Sequence, residues 1–480
     1  MASRSAGSTI NTGPMGPVCV LVAVFLLFVS PLMRGGNKQL ALIGLEAVGL
    51  LFLVCFWIRS VSRGRLSPIA KHEPPARQIL LWFLLLSPGW LAIVYLMPVQ
   101  GSAWEALPSR AIYGQLLAGA GIPLASSMPL SLVPEATKAS LLAGIPLVAG
   151  FLAGYAARLS QLKVLLGAAA GMAFLEVLLG LLQAAGGSGS TLYFATQFAN
   201  RPFGTFANSN HYANYIGMAL AAYIWLAWTS VFMSGESGYE SDGHVGRHRT
   251  AFWTAGGLVL VLGILMTLSR GAALSVLPAS VLAIGVAYAA SGQMRNWRVP
   301  VLAALVLVLG AVALVGIGTL LSRYDFGRLA TDASFRTLLA SSTIAGAREL
   351  WPWGAGWGTY ASAYPRFQPI TVDGYAGHAH QDYAQMLFEG GIFAALLAVA
   401  FAWLAASRAI HLTRTLVANR MMKPDEFAAA ICGVGLLGFL VHSLVEFNMH
   451  IPANAILAAL LAGVYLRPLP AGDTSNDRPA

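Results

Sequence analysis

Charge is what this sequence has least of: Asp, Glu, Lys and Arg make up 10% of its 480 residues, where a soluble domain carries about a quarter. That scarcity excludes an ordinary water-soluble globular fold. Cysteine is nearly missing as well. Cys19, Cys55 and Cys432 all lie inside apolar runs, which rules out a disulfide framework and a thiolate ligand set. No internal repeat of the transporter kind is visible, and no basic soluble segment exists that could bind nucleic acid. The formal net charge of +10 is better explained by membrane topology.

What is present is hydrocarbon: 57% of the residues are hydrophobic and mean hydropathy is +0.68. Apolar runs of about 17 to 25 residues recur, each long enough to cross a core of roughly 30 Å as a helix. The expected spans are 17–33, 39–58, 79–97, 139–157, 163–184, 210–234, 251–269, 271–291, 299–321, 385–407, 427–445 and 453–466. This predicts an all-α integral membrane protein of about 12 transmembrane helices, a single membrane domain over 1–466. The run from Pro17 follows Arg4 and lacks a small-residue cleavage pattern, so it is expected to stay as an uncleaved span.

Twelve spans put both termini on one side. With that side cytoplasmic, including a tail at 467–480, it holds 18 of the 29 Lys and Arg residues, as the positive-inside rule favours. The opposite face keeps 11, among them Arg34, Arg201, Arg270, Arg336 and Arg348. Arginine offers a planar fork that grips phosphate, so this residue usage hints at an anionic ligand outside; interfacial anchoring is the plainer alternative. The outer polypeptide is concentrated in Pro98–Lys138, Gln183–Ser209 and a long loop at 322–384 between spans nine and ten. Pro123, Pro129 and Pro134 mark the first as a loop or re-entrant segment on the membrane.

Four segments could carry chemistry. Arg201-Pro-Phe-Gly-Thr-Phe-Ala-Asn-Ser-Asn-His211 sets Asn208, Asn210 and His211 at a helix entrance. Capping explains one of those asparagines, and hardly Arg201. Arg270 sits in the minimal turn Ser269-Arg270-Gly271, where a charge near the membrane interior costs about 2.5–3.5 kcal/mol and calls for an anionic partner or for snorkelling to lipid phosphate.

The long loop combines Arg336, Arg348 and Trp353-Gly-Ala-Gly-Trp-Gly358 with Gly377-His-Ala-His-Gln-Asp-Tyr383. Aromatic faces suit sugars, glycines let backbone amides approach a ligand, and arginine pairs with phosphate. His378 or His380 could act as a general base near neutral pH, or both could serve structural hydrogen bonds. A metal site on His378, His380 and Asp382 is disfavoured, because alternate residues make a poor ligand pair on a helix. Last, Glu446, Asn448 and Asn454 lie in a polar turn between the final two spans, where they could support neighbouring groups.

Together these segments resemble the O-antigen ligase and O-antigen polymerase superfamily of bacterial envelope glycosyltransferases. Gly-Thr-Phe-Ala-Asn-Ser-Asn-His at 204–211 is similar to the family's Gly-Thr-Phe-x-Asn-x-Asn-His, Ser-Arg-Gly-Ala at 269–272 to its Ser-Arg-Gly, and His-Gln-Asp-Tyr-Ala-Gln at 380–385 to its His-Asn-Asp-Tyr-Leu-Gln. The stretch 353–358 resembles its Gly-x-Gly, and the likeness covers roughly Gly204 to Ala462. Gln381 and Ala384 depart from the pattern, which puts helper roles there in doubt.

The resemblance implies a GT-C-like fold in the bacterial inner membrane that moves a glycan from undecaprenyl diphosphate to an acceptor hydroxyl at the periplasmic face, without nucleotide sugar, metal or other cofactor. Arg201 and Arg270 would hold the donor diphosphate, with Arg336 and Arg348 as further candidates, and His380 would be the base. His378, Asn208, Asn210, His211, Asp382 and Glu446 would support them. The acceptor is lipid A core in a ligase, or a second lipid-linked repeat in a polymerase. The absence of a soluble domain after Leu466 lowers a protein-glycosylating option. The competing class is a lipid-linked glycan flippase, whose path through the membrane would account for Glu176 in span five.

Overall fold

In lipid an apolar run satisfies its own backbone only as a helix, and that is the form the chain takes in a computed structural model, which describes residues 15–63, 73–194, 201–232, 243–291, 326–372, 374–418 and 421–469. Thirteen helices organise those residues: α1 (Pro17–Val29), α2 (Gln39–Val61), α3 (Pro75–Leu85), α4 (Ser87–Leu96), α5 (Pro134–Ala156), α6 (Leu159–Ala185), α7 (Ser209–Phe232), α8 (Gly243–Met266), α9 (Arg270–Ala290), α10 (Phe326–Glu349), α11 (Asp382–Val417), α12 (Pro424–His442) and α13 (Pro452–Leu466). Proline opens α1, α3, α5, α12 and α13, where its missing N–H costs nothing.

Among the described residues, α2, α5, α6, α8, α9, α11 and α12 are the seven helices long and apolar enough to cross a membrane, or eight with the α3–α4 pair, which bends by 58°. The make-up is that of an all-α multi-pass membrane protein. Every expected span that falls within the described residues has a helix at its place, but α1 and α13 are shorter apolar helices, so twelve full crossings is a larger count than these residues carry. The span expected at 299–321 lies outside the described residues. Helix α7 carries Tyr212, Asn214, Tyr215, Trp225 and Trp228, all buried, and it can do so because it is enclosed by α6, α8, α9 and α12 rather than by lipid.

The outer segments are more structured than loops. Within 322–384, α10 buries Leu339, Thr343 and Ala347 at helical spacing, and packs on α11. The Pro98–Lys138 stretch forms an antiparallel pair, β1 (Pro98–Gln100) and β2 (Ser127–Pro129), with short helices at Gly101–Glu105 and Ala111–Gly119.

The glycine-rich stretch at 353–358 docks on α11. Its Ala355 and Gly356 amides donate to Phe388 O and Glu389 O, at 2.9 and 2.8 Å. The Glu389 carboxylate takes the Gly358 and Tyr360 amides at 2.9 and 3.0 Å. Helix α11 breaks where this happens, at Gly391 (φ 50°, ψ −131°), so its 36 residues, about 54 Å if straight, are not one span. These glycine amides serve the fold, where the sequence suggested a ligand.

The two ends of the bundle differ. At one, buried arginines cap helix C-termini: Arg77 donates to Leu466 O at 2.8 Å and Arg408 to Arg467 O at 2.6 Å at the end of α13, and Arg467 to Ala157 O at 2.6 Å at the end of α5. At the other end lie the starts of α7, α9, α11 and α13 and the end of α12, and the residues singled out from sequence gather there.

Candidate functional site

The approach to α7 is built from below by α6. Gln183 Oε1 accepts the Phe203 and Gly204 amides, each at 3.0 Å, while Glu176 accepts from Thr205 N at 2.8 Å and Thr205 Oγ1 at 2.6 Å. Gly204 is in the left-handed region (φ 59°), and a Cβ there would stand 2.0 Å from Glu176 Oε2. Glu176, the one acid that suggested a path through the membrane, therefore has its carboxylate occupied by this turn. Asn208 Oδ1 then caps α7 by accepting from Asn210 N at 2.8 Å.

Beyond that cap a buried carboxylate collects three donors. Glu446, 1% exposed, accepts from Arg336 Nη2 at 2.7 Å, from Asn210 Nδ2, and from His380 Nδ1 at 3.3 Å. Arg336 also donates to Val445 O. Burial alone would raise the Glu446 carboxyl; the His380 hydrogen bond and the Arg336 charge outweigh it and hold the group well below the usual carboxylate range. A cavity of about 230 Å³ opens over this cluster, lined by Arg201, Asn208, Asn210, Arg336, His380 and Glu446 among others.

His380 is set rigidly. Its backbone lies in the left-handed region (φ 51°), a conformation that costs a non-glycine residue about 1–2 kcal/mol and collects at functional sites. The ring meets Phe447 edge-on at 4.9 Å between centroids. Because a carboxylate sits at Nδ1, the proton resides there and Nε2 is left basic. The side chain keeps 30% exposure into the cavity.

His378 is placed differently. It stacks on Phe447 at 4.3 Å and 11°, and burial, with His450 beside it, pushes its imidazole down to about 3. It stays neutral and packed.

Asp382 does not face the cavity either. At 0% exposure, it accepts from His450 Nδ1 at 2.8 Å and Met449 N at 2.9 Å, tying the start of α11 to the turn that carries Glu446. Gln385 continues the network to His450 Nε2 at 3.0 Å. His211 is buried, bonded through Nδ1 to Asn448 Oδ1 at 2.9 Å, and its ring approaches Phe447 at 4.5 Å.

The structure thus brings Arg201, Asn208, Asn210, Arg336, His380 and Glu446 around one cavity, with His211, His378 and Asp382 behind it. Arg270 opens α9 beside them: Gly271, the next residue, backs onto His442 and Val445, next to Glu446. Arg348 stands apart. It lies on the exposed side of α10, twelve residues from Arg336 and so about 18 Å along the helix.

Phe447, His450 and Gln385 were not assigned roles from sequence. A Phe among histidines reads as an ordinary apolar residue, and the His450–Asp382 pairing, 68 residues apart, leaves no local pattern.

Residues 255–399 match the family model described as O-Antigen ligase. The matched region includes the Ser269-Arg270-Gly271 turn and His380, and it supports the resemblance to the O-antigen ligase superfamily that the motifs suggested. A search of the curated proteins finds no match.

Proposed function

We propose, from that family likeness and the grouping of Arg201, Arg336 and Glu446 with His380 around one cavity, that the chain is a membrane glycosyltransferase acting at the periplasmic face of the bacterial inner membrane. Its donor is a glycan on undecaprenyl diphosphate, and its acceptor is a hydroxyl of lipid A core. The observation that carries this is the pairing of an oriented imidazole with two arginines in one lining, because the reaction needs one proton removed and one diphosphate neutralised.

In this mechanism Arg201 and Arg336, with Arg270 at the neighbouring helix start, hold the donor diphosphate. The acceptor oxygen attacks the anomeric carbon from the face opposite the diphosphate. The new C–O bond forms as the bond to phosphate oxygen breaks, the electron pair leaves with the diphosphate, and the acceptor proton passes to His380 Nε2. Glu446 positions the ring and stabilises the imidazolium that results. Single displacement inverts the anomeric configuration. The leaving group carries its own activation, so the chemistry asks for no metal. His378 is assigned to packing, since burial keeps it neutral, and Arg348 has no contact role.

Reconstitution with lipid-linked glycan, with and without lipid A core, tests this. A glycan newly linked to lipid A core with inverted configuration is expected. Linkage to a second lipid-linked glycan instead would make the chain a repeat-unit polymerase, and translocation without any new linkage would overturn the enzyme reading in favour of a flippase.

A further inference from the structure

A second cavity, about 240 Å³, adjoins the first, and Ala207 and Asn208 line both. Its other walls include Arg34, Asn37, His211 and Phe447, and no carboxylate is among its lining residues. Among the described residues, the Arg34 side chain has no hydrogen-bond or ion-pair partner, and the buried His211 Nε2 has none either. The floor is polar and cationic, and Phe206 and Phe447 supply aromatic faces.

The chain presents Arg34 at a conformational cost. Met33 (φ 56°), Arg34 (φ 67°), Gly35 (φ 69°) and Gly36 (φ 78°) form one left-handed turn, in which two residues carry side chains. Left-handed residues of L-configuration normally occur singly. The turn is held from outside: Thr205 Oγ1 lies 2.7 Å from Pro31 O, and a Cβ on Gly35 would meet Phe206 at 2.7 Å. Strain held in place by its surroundings, at the residue that faces an adjoining cavity, marks that residue as positioned for a ligand.

We infer that this cavity is the acceptor subsite, and that Arg34 and Asn37 bind a phosphate or other anionic substituent on the acceptor sugar while its ring lies against Phe447. The inference rests on the glycosyl-transfer reading. It gives the two substrates separate anion sites, the donor diphosphate with Arg201 and Arg336 and the acceptor anion with Arg34, meeting at Asn208. His380 borders the first cavity and touches the Phe447 ring that lines the second. A hydroxyl at that junction reaches the base.

Arg34→Gly is the informative variant, because glycine adopts φ 67° freely, so removing the guanidinium also relieves the turn. In the full chain in phosphatidylcholine nanodiscs, Arg34→Gly should raise the apparent Tm, weaken glucose 6-phosphate binding at least tenfold and leave inorganic diphosphate binding within twofold. Asn37→Ala should weaken glucose 6-phosphate several-fold. In transfer assays Arg34→Gly should raise the acceptor KM at least tenfold with the donor KM unchanged. Unchanged glucose 6-phosphate binding, or equal loss of both anions, overturns the inference. So does loss of wild-type glucose 6-phosphate binding when phosphatidylglycerol is added to the discs, which would make the ligand a lipid headgroup. Absence of transfer by the wild type refutes the glycosyl-transfer reading instead, and it is read from product, not from binding.

Discussion

Glu446 Oε2 lies 3.3 Å from His380 Nδ1, and the same carboxylate also takes donors from Arg336 and Asn210. All three partners donate, so a group that can only accept is required. An amide at 446 turns one contact into donor against donor. Glu446→Gln should therefore lower kcat about 10- to 100-fold, the usual cost of losing a group that orients a reacting residue, with little change in donor KM. Glu446→Asp should recover part of it. His380→Ala, which removes the proton acceptor itself, should lose about 10²- to 10⁴-fold. Steady-state kinetics on the reconstituted protein checks all three, and wild-type kcat in the His380→Ala variant would remove His380 as the base.

The depressed titration of Glu446 has a consequence for stability. Its folded-state carboxyl ionises well below the usual carboxylate range, so the ionised form is favoured by folding. The stabilisation is complete above the ordinary carboxylate pKa of about 4.3 and is lost as pH falls below it. The apparent Tm of the wild type should drop on acidification from about pH 6 to 3 more steeply than that of Glu446→Gln, whose amide does not titrate. Parallel curves for the two proteins would show that Glu446 contributes nothing to acid sensitivity.

Arg336 and Arg348 share α10 but differ in surroundings. Arg336 binds the Glu446 carboxylate at 2.7 Å and Val445 O, whereas Arg348 is exposed in the last turn of the helix. Arg336→Ala leaves a buried carboxylate short of one donor, which costs about 1–3 kcal/mol, and should also raise donor KM. Arg348→Ala should stay within about 0.5 kcal/mol of wild type, as surface changes usually do, with donor KM unchanged. Thermal unfolding and donor titration of the two variants make the comparison; equal effects on donor KM would remove Arg336 as a specific diphosphate contact.

Much of this could be read from the chain before folding, for physical reasons that also mark the limit. Apolar length located the helices because lipid admits no other backbone form for such runs. Length and hydropathy do not tell whether a helix faces lipid or protein, as α7, enclosed by its neighbours, shows. Arg201, Asn210 and His380 stood out because polar side chains at membrane edges are costly without a purpose. What stayed hidden was who pairs with whom. Glu446 meets Asn210 across 236 residues and His380 across 66, and the aromatic platform of Phe447 exists only once three histidines converge on it. Arg348 looked equivalent to Arg336 because composition does not record position along a helix.

Gly204 joins fold and site in one residue. Its φ of 59° and the 2.0 Å approach of a Cβ to Glu176 Oε2 leave no room for a side chain. Alanine there must either push Glu176 from Thr205 or shift the turn that leads into Asn208 and Asn210. The first strands a buried carboxylate inside the bundle; the second moves a donor away from Glu446. Gly204→Ala is expected to cost about 1–3 kcal/mol from strain and lost hydrogen bonds and to lower kcat, although the residue touches no substrate. The double variant Gly204→Ala with Glu176→Ala separates the two effects. Removing the obstructing carboxylate should make the loss from Gly204→Ala smaller than it is beside Glu176, a coupling readable as a double-mutant cycle in apparent Tm. Additive losses would mean that the glycine is needed for its backbone conformation alone.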